Sequence, residues 1–383
     1  MYRLTADQQA IVDEAAAVAD ETLLPNAAGV DEEARFPEEN LRALGEAGLL
    51  GLTIPEDYGG MGQGLRVACA VLDELARRCP STAMVYFMHL SGLAAYLERP
   101  ERSAPHLRSA ARGEHLTTLA WSEFGSRSHF WAPVSREQVD GDRVTLDADK
   151  SFVTAAGHAD GYVVSTGWAE AESPTESMLY LVLDDDGGLT PLGEWDALGM
   201  RGNASTPMKL EDVAISRDRA LCDPGAGMQV MLEVVLPVFQ LGNAAISVGI
   251  AEAACEIARG HVTDSRLEHE GSSLADLPNL RARLARMRIE TDRARAHLSA
   301  VIDAVEEPGP ETQLLVLQSK AAAAETARTV TEIAMNTCGG AAYGKALPLE
   351  RYFRDARAPG IMAPTTDVLH DFIGRALCGM EVM

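Results

Sequence analysis

No Cys-x-x-Cys pair occurs in the 383 residues, and the six cysteines (Cys69, Cys79, Cys222, Cys255, Cys338 and Cys378) stand far apart. Neither a zinc site nor a disulfide framework is expected, and reduced thiols in a cytoplasmic protein are. Positive charge is scarce: 33 basic against 57 acidic residues leave a net charge of −24. Such a field opposes nucleic acid and anionic lipid surfaces, so neither is an expected partner. An anionic ligand would need a local basic patch or a set of backbone donors. Aromatic residues make up only 5% of the chain, while alanine is abundant and several long stretches read as helix. Long unbroken apolar runs are also missing. The most apolar stretch, Met228 to Ala254, is interrupted by Glu233, Pro237, Gln240 and Asn243, which fits a buried helix better than a membrane span. Near the N-terminus Asp7, Asp13 and Glu14 are unlike a secretory signal.

The length is enough for two or three domains. Thr5-Ala6-Asp7-Gln8 has capping-box spacing and opens a helix, and Pro37 starts another that ends near Gly48. Helical periodicity resumes from Arg66 to Arg78 and from Ser81 to about Glu98. Met84, Tyr86, Phe87, Met88 and His89 on the latter read as core. From Leu116 to Asp223 the pattern becomes short β-rich runs (Val144 to Leu146, Tyr162 to Thr166, Met178 to Leu183, Met208 to Val213) parted by Gly, Asp and Pro. Beyond Gly225 the chain is helical again: Leu280, Leu284, Met287, Ala294, Leu298 and Val301 mark one face, and Leu314 to Met335 supplies another helix. The expected architecture is α+β. It comprises an N-terminal helical domain (1–115), a middle antiparallel β domain (116–223) and a C-terminal four-helix bundle (224–383).

One stretch has the character of a ligand seat. Trp121-Ser122-Glu123-Phe124-Gly125-Ser126-Arg127-Ser128-His129 follows a short apolar run and is rich in hydroxyls and glycine. Its backbone N–H groups suit an anionic or heteroaromatic edge. Downstream, Phe152 and Thr154 lie two positions apart on an expected strand and would face the same side.

Five local motifs in this order resemble the acyl-CoA dehydrogenase superfamily over nearly the whole chain. Pro55-Glu56-Asp57-Tyr58-Gly59-Gly60-Met61-Gly62 resembles its N-terminal glycine-rich loop, and Ser122 to His129 its flavin loop. Phe152-Val153-Thr154 stands for Trp-x-Thr, Asn336-Thr337-Cys338-Gly339-Gly340 for Gln-x-x-Gly-Gly, and Arg351 to Arg357 for Arg-x-x-Arg-Asp-Ala-[Arg/Lys]. The resemblance implies FAD and an acyl thioester substrate, carried on CoA or on a carrier protein. It places Trp121 and Ser122 at the flavin ring, with Ser122 on its pyrimidine side. Thr154 would donate toward N5 or O4, Phe152 would pack on the ring face, and Ser128 would meet the pyrophosphate. Asn336, Gly339 and Gly340 would serve a neighbouring subunit's cofactor, which implies a homodimer or a dimer of dimers. Thr365 and Asp367 align with contacts to the adenosine part.

The departures from that pattern are chemical. The family's Glu-Gly-Thr, whose Glu takes the α-proton, falls on Ala363-Pro364-Thr365. The alternative base position falls on Phe239 in Leu236-Pro237-Val238-Phe239-Gln240. A missing general base costs about 10²- to 10⁴-fold in rate. Glu233, His89 and Asp367 are therefore the candidates for a relocated base. Phe124, Arg127 and His129 replace a proline, a glycine and an aspartate in the flavin loop, and His129 or Trp131 could reach a substrate. Arg266 echoes, one position out of register, an arginine that touches the partner's flavin. The expected activity is FAD-dependent oxidation of a thioester with a non-standard or relocated base. The alternatives are monooxygenation, thioester elimination or desulfination on the same scaffold, or a catalytically silent flavoprotein.

Overall fold

The computed structural model describes residues 2–127 and 129–382. Helix α1 (Ala6–Val18) begins with the expected capping box, in which Thr5 accepts from the Gln8 N–H and Gln8 reaches back to the Thr5 N–H. A wide turn at Ala19–Leu23 carries the chain into α2 (Leu24–Glu32), where Pro25 sits in the first turn and costs no hydrogen bond. Then come α3 (Glu38–Glu46), α4 (Leu65–Arg78), α5 (Pro80–Tyr96) and α6 (Pro100–Ala111). Helix α5 is almost wholly buried, and its Met and aromatic stripe is core as the pattern predicts.

Strands β1 (Thr117–Ala120), β2 (Gln138–Asp140), β3 (Arg143–Val153), β4 (Gly161–Gly167), β5 (Ser177–Leu183), β6 (Leu189–Pro191) and β7 (Thr206–Ser216) form two sheets, ordered β1-β4-β5 and β2-β3-β7-β6. Pairing is antiparallel throughout except that β1 runs parallel to β4, with Thr117 opposite Gly161. The long β3–β7 pair shifts register between Lys150 and Val153. Thr154 therefore lies just past the strand end, beside Phe152 but on a turn.

Helix α7 (Gly227–Gln229) runs through a wide turn at Val230–Val235 into α8 (Leu236–Asp264). A two-residue hairpin, β8 (Arg266–Leu267) and β9 (Ser272–Ser273), leads to α9 (Pro278–Glu306) and α10 (Thr312–Cys338). The short helices α11 (Gly340–Tyr343), α12 (Leu349–Asp355), α13 (Ala358–Ile361) and α14 (Thr366–Leu377) close the chain. Helices α8, α9 and α10 pack on one another, and α14 packs on α10 to give the fourth member of the bundle. The apolar run Gly227–Asp264 is long enough to cross a membrane, but 78% of its most apolar window is buried within the protein. Helix α8 also packs on α4 and α5, so the N- and C-terminal helices share one core. A buried ion network pins that junction: Arg295 donates to Asp73 (3.0 Å) and pairs with Glu252 (2.8 Å), while Tyr2 Oη donates to Asp73 (2.9 Å).

Candidate active site

A cavity of about 690 Å³ opens where the sheets meet α8 and the α13 region. Trp121, Ser122, Phe152 and Thr154 all line it, and so do Phe239, Met362 and Ala363. The hydroxyl-bearing stretch and both expected base positions therefore face one space.

The sheet side is held from behind. Lys150 on β3 has no exposed surface, and its Nζ donates to Glu123 Oε1 (2.7 Å) and to the Ser165 carbonyl (2.6 Å). Glu123 also accepts from the Val134 N–H (2.6 Å), the Ser135 N–H (2.9 Å) and the Ser135 hydroxyl (2.6 Å). Burial pushes the Glu123 carboxyl up, yet the Lys150 charge and the Ser135 donors outweigh it and hold it below the usual carboxylate value. The Ser151 N–H donates to the Ser122 carbonyl (2.8 Å), which ties the loop to β3 a second time. Four anchored acceptor bonds leave Glu123 no role as a proton acceptor, although it lines the cavity.

Thr154 is buried, and its Oγ1 shares a hydrogen bond of 2.8 Å with Ser205 Oγ, which also lines the cavity. Asn203 and Trp121 line the same space, and Asn203 Oδ1 and Trp121 Nε1 are buried without a protein partner. Of the seven non-glycine residues with positive φ among the described residues, four (Arg127, Ala155, Met200 and Ala204) lie on or beside this wall. Ala155 and Ala156 donate their N–H groups to the Asn203 and Ala204 carbonyls (3.0 and 3.2 Å), and this backbone pairing holds the strained turns together. Phe152 lines the cavity and is 63% exposed.

The helical side is apolar. Phe239 packs on Phe87 at 5.0 Å between ring centroids, and Met231, Leu236, Met362 and Ala363 complete the wall. Among the residues lining the cavity Glu123 is the one carboxylate, and there is no histidine. The arginines there are Arg127, Arg354 and Arg357, of which Arg354 is already paired with Asp31 and Glu350.

None of the candidates for a relocated base reaches this space. Glu233 is exposed on the wide turn before α8 and accepts from Gln229 (2.9 Å). His89 is fully buried with both ring nitrogens in use: Nε2 meets the Leu50 carbonyl at 2.9 Å, and Nδ1 accepts from the Thr117 N–H at 3.1 Å. Burial pushes its pKa down to about 4. Asp367 is exposed in the first turn of α14, and Thr365 is the N-cap of that helix, its hydroxyl accepting from the Val368 N–H. His129 stacks on Trp131 at 5.0 Å, outside the cavity wall, and Trp131 is buried against Phe130 and Phe372. Ser128 lies outside the described residues.

Asn336, Gly339, Gly340 and Arg266 sit on the surface, away from this chain's cavity. Gly339 has φ +55° and nothing within 4 Å of where a side chain would begin, and Gly340 is equally open. The sequence reading missed Ser205 and Asn203, which no local motif marks. They reach the wall only through the β3–β7 pairing.

The family descriptions "Acyl-CoA dehydrogenase, N-terminal domain", "middle domain" and "C-terminal domain" match residues 5–100, 118–213 and 225–378. "Probable acyl-CoA dehydrogenase FadE25" of Mycobacterium tuberculosis is 28% identical over 379 residues, covering 98% of this chain and 97% of that protein. "Short-chain specific acyl-CoA dehydrogenase, mitochondrial" of Bos taurus is 29% identical over 353 residues, 91% of this chain and 85% of that one. The structure of butyryl-CoA dehydrogenase from Megasphaera elsdenii superposes with a TM-score of 0.92 at 23% identity, covering 98% and 99% of the two chains.

Proposed function

Because the chain belongs to the acyl-CoA dehydrogenase family, an FAD-dependent oxidoreductase family, we propose that it oxidises an acyl thioester in this cavity without a carboxylate at either usual base position. FAD supplies the hydride acceptor when bound. The wall suits it: Trp121 Nε1 is a buried donor and Asn203 Oδ1 a buried acceptor, both lacking partners, as a heteroaromatic edge requires. Thr154, steadied by Ser205, offers a hydroxyl beside them, and the open Phe152 ring offers a face. Ser122 completes the edge. The Lys150–Glu123 pair keeps the loop in register, so these groups need no rearrangement to bind.

A single observation carries the reading: Ser122 and Thr154 share one cavity with Ala363 and Phe239. An acyl group seated against Phe239 and Ala363 then meets no enzyme group able to take its α-proton. The substrates favoured are therefore thioesters whose α-proton is unusually acidic, or which carry their own acceptor. The same vacancy favours, as a second reading, a flavin reaction that needs no such base, namely monooxygenation or thioester elimination.

The flavin site is completed by a second copy of the chain, which brings Asn336, Gly339, Gly340 and Arg266. Supporting this, the three most exposed large apolar side chains among the described residues are Tyr343 (88%), Ile361 (75%) and Leu377 (70%), all in the same C-terminal region. Residues 1–115, 116–223 and 224–383 are the three units of this assembly.

Anaerobic titration of the FAD-loaded protein with acyl-CoA and acyl-carrier thioesters tests the proposal. Bleaching of the flavin by one of them is the expected result. Bleaching only by added reductant, followed by hydroxylated product in air, would move the assignment to monooxygenation.

A further inference from the structure

Behind the apolar wall lies a group of polar side chains that the reading above leaves idle. Lys320, on α10, has no exposed surface, yet its Nζ donates to the Met362 carbonyl (2.7 Å) and the Pro364 carbonyl (2.6 Å). Those carbonyls flank Ala363, so one amine grips the backbone on both sides of the residue that faces the cavity. The same Nζ stands 5.9 Å from the centre of the Phe239 ring. Both vacant base positions are thus braced by one side chain.

Helix α8 adds to the brace. Asn243 Nδ2 lies 3.5 Å from Met362 Sδ, and Asn243 Oδ1 is buried without a partner. Gln240, three residues earlier and so on the same helix face, is fully buried with neither end of its amide paired. Burying an amine is costly, and burial pushes Lys320 down to about 7. A methionine would fill the space without that cost. What the amine supplies instead is two donor bonds, one to the carbonyl on each side of Ala363. Charged or neutral, it keeps at least two N–H groups, so the grip does not require the charge.

We infer that Lys320 is a positioning residue, which holds the 362–364 backbone so that residue 363 presents its side chain to the cavity that Thr154 also lines. It touches neither substrate nor cofactor, and it acts by fixing the wall.

The test compares FAD-loaded wild type with Lys320→Met and Lys320→Arg by amide hydrogen exchange and by anaerobic flavin reduction. In Lys320→Met the amides of 361–366 are expected to exchange at least tenfold faster, while 121–135 and 203–206 stay unchanged. The limiting rate of flavin reduction by an acyl-CoA falls about tenfold, while the acyl-CoA concentration at half-maximal rate moves less than twofold. Lys320→Arg, which retains paired donors, returns exchange to within threefold of wild type. Should Lys320→Met not fold, Lys320→Arg carries the test, and a tenfold rise in its exchange at 361–366 contradicts the inference. Unchanged exchange in Lys320→Met, or acceleration spread evenly along α10, overturns it. Only the rate arm rests on the proposed function. If no acyl-CoA reduces the flavin but 361–366 loosens in Lys320→Met, the positioning role stands and the thioester reading fails.

Discussion

The two walls of the cavity are built on opposite plans. On the sheet side the lining residues include Ser122, Thr154, Asn203, Ser205 and Trp121, and Lys150 and Glu123 fix the loop through a fully bonded pair. On the helical side the inward surface is Phe239, Met362 and Ala363, and the polar groups (Lys320, Asn243 and Gln240) are all turned behind it. The first plan suits a ligand that must be oriented by its edge. The second suits an apolar group that must be kept dry, and on the proposed reading it offers a bound acyl group no carboxylate at Phe239 or Ala363. On the proposed reading a polar wall facing an apolar one separates cofactor binding from proton transfer, and each can be broken without the other.

The sheet-side plan fails most severely if one half of its buried pair is removed. Lys150→Met leaves Glu123 charged and buried without its cation. A loss of about 3–5 kcal/mol in unfolding free energy is expected, with loss of FAD on gel filtration. Denaturant midpoints and flavin absorbance check this, and Lys150→Met combined with Glu123→Leu should recover much of the stability. Thr154→Val acts more locally. It removes the hydroxyl at the reacting edge, leaves Ser205 with one partner fewer, and should slow flavin reduction about 100-fold with FAD still bound. Stopped-flow absorbance reads both.

A third difference between the regions is their response to acid. Burial lowers His89 to about 4 and His115 to about 3, both behind the helical domain's contact with β1. Below about pH 6.5 the unfolded chain takes up those protons before the folded one does, so stability is lost as pH falls. Asp355, beside the cavity wall at Met200, runs the other way. Burial raises it to about 7, so the folded state is protonated first and gains stability as pH falls. For these three groups alone, two protons against one leave a loss of about 1.4 kcal/mol per pH unit between about pH 6 and 4, and His106, His158 and His297, also lowered by burial, add in the same direction. Asp355→Asn should steepen the loss by about 1.4 kcal/mol per pH unit in denaturation midpoints measured across the range.

The sheet-side wall was largely legible from the sequence because its residues come in short contiguous runs, Trp121-Ser122 and Phe152-Val153-Thr154. Ala363 and Phe239 were placed only through the family resemblance, by counting from Arg354-Asp355 and along Leu236 to Gln240, and both line the cavity. What the sequence hid depends on distant partners. His89 reads as core or as a candidate base, and only the Leu50 carbonyl and the Thr117 N–H, 39 and 28 residues away, show that both its nitrogens are in use. Glu233 precedes Phe239 by six residues, which already sets it about 120° off that face of a regular helix, and it sits exposed on the wide turn at Val230–Val235. Ser205 and Asn203 carry no motif, and the parallel β1–β4 pairing spans a connection of some forty residues that no local pattern announces. Lys320 was silent as well, since a lysine in a helix reads as solvent-facing until its surroundings are known.

The most direct measurement is the limiting rate of anaerobic flavin reduction in Ala363→Glu against wild type, using the acyl-CoA that reduces the wild type best. A carboxylate restored at that position should raise the rate about tenfold or more. An equal or slower rate, with FAD bound and the wall at 361–366 unchanged in hydrogen exchange, would contradict the claim that a vacant proton-acceptor position faces the bound acyl group.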